Sequence, residues 1–149
     1  GDVYKRQDLL SSGKTVGLFQ IESAGMREAL MQMKPNHIED IIALVALYRP
    51  GPMEHIDTFI SGKHGQTPIS YPHDSLKDLL DETYGVIVYQ DQVLLILQNF
   101  AGYSLGEADI VRKAMGKKKK KLLASYKIQF VDGGMKKGIE KNILFICQR

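Results

Sequence analysis

The stretch SLGEADIVRKAMGKKKKK, Ser104–Lys121, joins a helix start to a dense group of cations. Ser104 and Glu107 match the capping-box pattern, in which two side chains accept backbone hydrogen bonds at the amino end of a helix. We therefore predict a helix that begins after Ser104 and extends to Gly116. The apolar stripe expected to pack inward on this helix consists of Ala108, Val111 and Met115.

The same stretch concentrates positive charge, with seven lysines and arginines in the ten positions from 112 to 121. Lys113 and Lys117 lie four residues apart and therefore share one helix face. Gly116 weakens the helix where the lysine run begins. Two interpretations remain open at this point: the lysines form a solvated face, or the helix cations bind a phosphate backbone.

Charge is unevenly distributed along the whole chain, although the overall net charge is only +3. Residues 1–111 contain 8 Lys/Arg and 15 Asp/Glu, a net charge of −7. Residues 112–149 contain 12 Lys/Arg and 2 Asp/Glu, a net charge of +10. A basic segment attached to an acidic body indicates an anionic partner, most simply nucleic acid or nucleotide phosphates.

The remaining pattern predicts a mainly α fold with one or two short β-strands. "TVGLFQIES", from residue 15, and "GVIVY", Gly85–Tyr89, are the β candidates, the second being β-branched and bounded by a glycine. Asn36 with Glu39 is an acceptable helix start for the apolar "HIEDIIALVALY", which we expect to be mostly buried. Further helices are predicted over 23–33, 53–61, 75–83, 90–102 and 122–137, the last interrupted or capped at Gly133 and Gly134.

Residues suited to catalysis or metal binding are sparse. The single cysteine excludes an internal disulfide and a thiolate-rich zinc site, and the four histidines lack the spacing of a helical metal site. Glu107 and Asp109 are two residues apart, so on a helix their side chains point in different directions. We interpret them as favourable charges near a helix start rather than as a catalytic pair.

Arg49, in "YRPGP", lies at the end of a predicted helix and before a rigid proline-containing loop. Its planar guanidinium group suits phosphate or carboxylate. Alternatively, it caps the last carbonyls of the preceding helix. The residues alone leave both alternatives open.

Four blocks, "GLFQIESAGMREAL", "IEDIIALVALYRPGPM", "YGVIVYQDQV" and "AGYSLGEADIVRKAMGKKK", together resemble consecutive blocks of bacterial DNA polymerase III alpha subunits, the C family of DNA polymerases. The resemblance covers about residues 15–139 and implies the fingers region. It departs from the family's pattern at Lys113, where a second arginine is usual, and at Asp91, where glutamate is usual. After Lys119 the similarity weakens.

The resemblance implies template-directed nucleotidyl transfer with Mg²⁺ for the parent protein, whose metal-binding aspartates we expect upstream of this stretch. We therefore expect the chain alone to be inactive. The implied partners are primer-template DNA and deoxynucleoside triphosphates, with a sliding clamp and other replicase subunits contacting parts outside this chain. A cytoplasmic location without membrane association is expected. The implied nucleotide- and DNA-binding residues are Arg49, Lys63, His64, Tyr89, Gln90, Arg112, Lys113, Lys117, Lys118 and Lys119.

The first residues and the resemblance together suggest how the chain is organised. Residues 1–7 match the translation of a sequencing adapter, so we expect the native protein to continue upstream. Residues 8–22 are then the palm-to-fingers junction, 23–139 a partial fingers domain, and 140–149 a divergent or truncated end. The alternative function is a stand-alone, non-catalytic helical module that binds nucleic acid.

Overall fold

The chain is helical over most of the length that the computed structural model describes, residues 2–117 and 120–139. Short 3₁₀ turns at Pro52–His55, Asp74–Leu76 and Asp81–Thr83 connect the α-helices. The helices are α1 (Asp2–Ser11), α2 (Ala24–Met33), α3 (Ile38–Leu47), α4 (Ile56–Lys63), α5 (Lys77–Leu80), α6 (Gln90–Ala101), α7 (Leu105–Gly116) and α8 (Lys120–Lys136). None of the helices within this described part is long and apolar enough to cross a membrane.

The chain divides into two compact units. The first unit comprises the described chain up to Ser70 together with Glu82–Val88, and it contains α1 to α4. Helices α2, α3 and α4 each turn one apolar face into its core, which excludes water from their large aliphatic and aromatic side chains. The main core side chains are Met26, Leu30, Met33, Leu44, Leu47, Phe59 and Ile60.

The second unit comprises Tyr71–Asp81 and the chain from Tyr89 onward, and it contains α5 to α8. Helix α6 packs against both α7 and α8. The core residues of the second unit are Leu76, Leu80, Ile96, Leu97, Phe100, Tyr103, Ala108, Val111, Phe130 and Val131. The stripe predicted for α7 is correct at Ala108 and Val111 but wrong at Met115, which is exposed, because Ala114 takes the third buried position.

The two β predictions are wrong, since no strand occurs anywhere in the described residues. Gly85 has a φ of 81° and forms a turn, in which the Val86 N–H donates to Thr83 O at 3.0 Å. Val86 is buried without a β-ladder, so its β-branched side chain serves packing alone. The residues after Thr15 likewise form successive turns, including a bond from Leu18 N–H to Thr15 O.

Helix α3 differs from the prediction in its cap and in its burial. Asp40, rather than Glu39, caps α3, because its carboxylate accepts the backbone N–H groups of Asn36 (3.0 Å) and His37 (3.1 Å). The same helix is buried on one face only: Ile38 and Ile42 are exposed, against the prediction of a mostly buried helix.

The predicted interruption of α8 is also wrong, since the helix continues through Gly133 to Lys136. A Cβ at Gly133 would lie 3.0 Å from the backbone Cα of Ala101. The glycine therefore permits close contact between α8 and the end of α6. Gly138, with a φ of 81°, follows the helix end instead.

Candidate functional site

Arg112 and Lys113 lie in the carboxy-terminal half of α7, and Lys117 directly follows the helix as its C-cap; the three are here called the α7 cations. The capping box predicted at Ser104 is confirmed, and it fixes where α7 begins. Glu107 accepts the Ser104 N–H and hydroxyl, both at 2.8 Å. Because the Glu107 carboxylate is engaged in the cap, it leaves the α7 cations to other partners.

Asp109 is the carboxylate that contacts two of these cations, Arg112 and Lys113. Its Oδ1 accepts from Arg112 Nε at 3.1 Å and from Arg112 Nη2 at 2.8 Å. Its Oδ2 lies 2.5 Å from Lys113 Nζ. A hydrogen bond from Lys113, with a smaller contribution from Arg112, holds the pKa of Asp109 below its ordinary value. The carboxylate is therefore ionised at neutral pH.

Arg112 also reaches the start of α6. Its Nη1 donates to Gln90 Oε1 at 2.8 Å, and Gln90 is the first residue of that helix. Tyr89, the residue before α6, donates its backbone N–H to Gln92 Oε1 at 2.9 Å. The structure thus brings Gln90, Arg112 and Lys113 together in the second unit, although Gln90 and Arg112 are 22 positions apart in the sequence.

The net charge of this cluster is positive. Asp109 carries one negative charge against the two positive charges of Arg112 and Lys113. Lys117 adds a third cation, is exposed, and its ammonium makes no hydrogen bond or ion pair to the described residues. Lys118 and Lys119 lie outside the described residues. An exposed group with surplus positive charge can bind an anion such as phosphate.

The candidates of the first unit occupy different environments. Lys63 forms an ion pair with Asp40 at 2.8 Å, and the two side chains are only 7% and 6% exposed. His64 follows α4, where its Nε2 lies 2.9 Å from Gln32 O. Arg49 is exposed, and its guanidinium makes no ion pair or hydrogen bond to the described residues, including the last carbonyls of α3.

The ion pair explains the protonation state of Asp40. Burial opposes its ionisation, but hydrogen bonds from Lys63 and from two backbone N–H groups outweigh burial and hold the pKa of Asp40 below its ordinary value. Lys63 therefore has a structural partner in the fold. Its predicted phosphate contact stays a prediction.

Asp109 is the residue of this cluster that sequence reasoning missed, because we interpreted it as a charge near the helix start. The spacing Asp-x-x-Arg-Lys could have identified it, since residues three and four apart on a helix are neighbours. Residues 2–117 and 120–139 contain no group of three His, Cys, Asp or Glu side chains that could hold a metal ion.

Comparison with known proteins identifies the family. Residues 2–138 match the family model described as the bacterial DNA polymerase III alpha subunit finger domain. The chain belongs to this finger-domain family. This confirms the resemblance inferred from the sequence blocks and assigns the helical fold to the fingers domain.

Relatives named DNA polymerase III subunit alpha extend this match. The Bacillus subtilis protein is 55% identical over 133 residues, and the Caulobacter vibrioides protein is 56% identical over 138 residues. The Thermus aquaticus protein is 52% identical. The matches cover 89%, 93% and 95% of this chain but only 12% of each relative's length, so this finger-domain chain spans a small part of the proteins it matches.

Proposed function

We propose that this chain is the finger part of a bacterial replicative, DNA-directed DNA polymerase, in which the α7 cations contact phosphates of the incoming nucleotide and of primer-template DNA. The observation that supports this most directly is the Arg112 guanidinium, held between Asp109 and Gln90 in a chain of the finger-domain family. The other predicted binding residues belong to the same proposal: Arg49, Lys63, His64, Tyr89, Gln90, Lys118 and Lys119.

The proposed contribution is electrostatic. A nucleoside triphosphate and a DNA backbone present closely spaced negative charges, and charge-assisted hydrogen bonds from arginine or lysine neutralise and orient them. Arg112 offers a planar set of donors, whereas Lys113 and Lys117 offer compact charges. These side chains bind and orient phosphate in the proposal and transfer no proton.

The magnesium implied by the family has no ligand group among the described residues, so we assign no metal-dependent step to this chain. The proposed partners are primer-template DNA and deoxynucleoside triphosphates. A sliding clamp and other replicase subunits would contact the parent protein outside this chain. We place that parent protein in the cytoplasm.

The test is Arg112→Ala in the complete polymerase that contains this segment. We expect the nucleotide KM to rise or the turnover number to fall, since a positioned phosphate donor is lost. The matched control is Lys77→Ala, which removes an exposed cation of the second unit outside α7. Primer-extension kinetics measure both variants. Unchanged nucleotide kinetics in the Arg112 variant would exclude Arg112 from the site.

A stand-alone nucleic-acid-binding module remains the alternative function, and the family match favours the polymerase. Both functions predict DNA binding that weakens with salt, because each neutralised phosphate contributes about 0.9 to the slope of log affinity against log salt. The effect of a nucleotide on hydrogen exchange distinguishes the two functions. In the complete protein, a matched nucleotide should protect α7 amides from hydrogen exchange only if the chain is part of a polymerase.

A further inference from the structure

Asp109 lies among the α7 cations rather than apart from them. We propose that Asp109 is a positioning residue, which holds the Arg112 guanidinium in one orientation so that its remaining donors meet a phosphate group. This inference rests on the proposed function and deepens it. It gives a role to an acidic residue at a site whose ligand is itself anionic.

The hydrogen bonds of Arg112 support this role. The guanidinium group has five N–H donors. Two of them reach Asp109 Oδ1, from Nε and Nη2, and a third reaches Gln90 Oε1 from Nη1. One N–H therefore remains on each terminal nitrogen, and such a pair can donate to two oxygens of one phosphate. Three contacts from two helices fix where that pair lies.

The surroundings favour a persistent contact between Asp109 and Arg112. Their side chains are 33% and 28% exposed, so water competes for the pair less than it does at an open surface. Lys113 is 60% exposed and uses only the other oxygen of Asp109. An incoming anion can therefore draw the Lys113 ammonium away while Arg112 stays held.

A simpler role for Asp109, the neutralisation of neighbouring cations, would have the opposite effect on nucleotide binding. If Asp109 only neutralised the α7 cations, it would compete with phosphate for them, and its removal would strengthen the binding of nucleotide and DNA. If Asp109 positions Arg112, its removal weakens nucleotide use although the site becomes more positive. The sign of the effect thus separates positioning from neutralisation.

The experiment compares Asp109→Asn, Arg112→Ala and the double variant in the complete polymerase. We expect Asp109→Asn to lower kcat/KM for the nucleotide about 5-fold or more, the scale of coupling between residues in direct contact. In the Arg112→Ala background the same change should have no further effect, because the residue to be positioned is gone. Glu107→Gln is the matched control: it removes the same charge from the same helix, keeps a side chain suited to the capping box, and touches none of the α7 cations.

The outcomes are distinct for the two proposals. Tighter or unchanged nucleotide use in Asp109→Asn, with Arg112→Ala impaired, overturns the positioning role and leaves the proposed function standing. An Asp109→Asn defect of equal size in both backgrounds also overturns it, since Asp109 then acts independently of Arg112. Arg112→Ala without any effect excludes Arg112 from the proposed site and overturns the positioning role with it. A thermal melt of each variant shows whether a loss of folding accounts for the kinetic change.

Discussion

Replacing Lys63 by methionine should strongly destabilise the first unit. The substitution keeps an unbranched side chain of similar length but removes the ammonium group that contacts Asp40 at 2.8 Å. Asp40 is then a buried carboxylate with two backbone N–H donors, from Asn36 and His37, as its remaining partners. The negative charge loses its counter-charge in a site that is almost closed to water.

The magnitude follows from the burial of the pair. Removing one partner of a buried ion pair costs about 3–5 kcal/mol. The two backbone donors that still contact Asp40 favour the lower end, so we expect a loss of about 3 kcal/mol in the free energy of unfolding. That loss is a large fraction of the roughly 5–15 kcal/mol that stabilises a typical domain.

The pH dependence gives an independent check. The folded pKa of Asp40 is lowered, so the stability it contributes is present above the ordinary carboxyl pKa of about 3.9 and is lost as the pH falls through the folded pKa. In the Lys63→Met variant, the hydrogen bond from Lys63 no longer offsets the effect of burial, so the pKa of Asp40 rises. The difference in unfolding free energy between the two proteins should therefore be full at pH 7 and shrink toward pH 4 and below.

Urea unfolding followed by circular dichroism at pH 7 and pH 4, with amide exchange of α3 and α4 as a local measure, tests this reasoning. Lys14→Met is the matched control, because Lys14 is an exposed lysine of the same unit. A loss below about 1 kcal/mol at pH 7, or a loss that does not change with pH, would refute a structural role for the buried pair.

Two further predictions concern packing in the second unit. Gly133→Ala should cost about 1–3 kcal/mol in urea unfolding, because the added methyl group would overlap the Ala101 backbone. Gly106→Ala, at an open position of α7, should instead stabilise slightly, and equal effects of the two would contradict the packing. Burial, with smaller contributions from Tyr126 and Glu107, raises the pKa of Tyr103 to about 12. Stability should therefore fall as pH rises from about 10 through about 12, and Tyr103→Phe should abolish this loss; an ultraviolet titration in which every tyrosine ionises near pH 10 would contradict the shift.

Much of the helical fold could be predicted because its signals are local. The capping box of α7 lies within four residues, and the helix before Pro50 ends where proline forbids its continuation. The family could also be inferred from several long blocks, although the roles of its cations stayed predictions. Local patterns were insufficient at "GVIVY", since a strand needs a partner elsewhere in the chain and β-branched residues also suit a buried turn.

The sequence by itself determined the family, the helices and the concentration of positive charge after residue 111. Only the tertiary structure decided which distant side chains the charged groups contact. It pairs Lys63 with Asp40 across 23 positions and joins Arg112 to Gln90 across 22. The physical reason is that the free energy of a charged group depends on the neighbouring charges and on the water around it. Folding brings those neighbours together from distant parts of the chain.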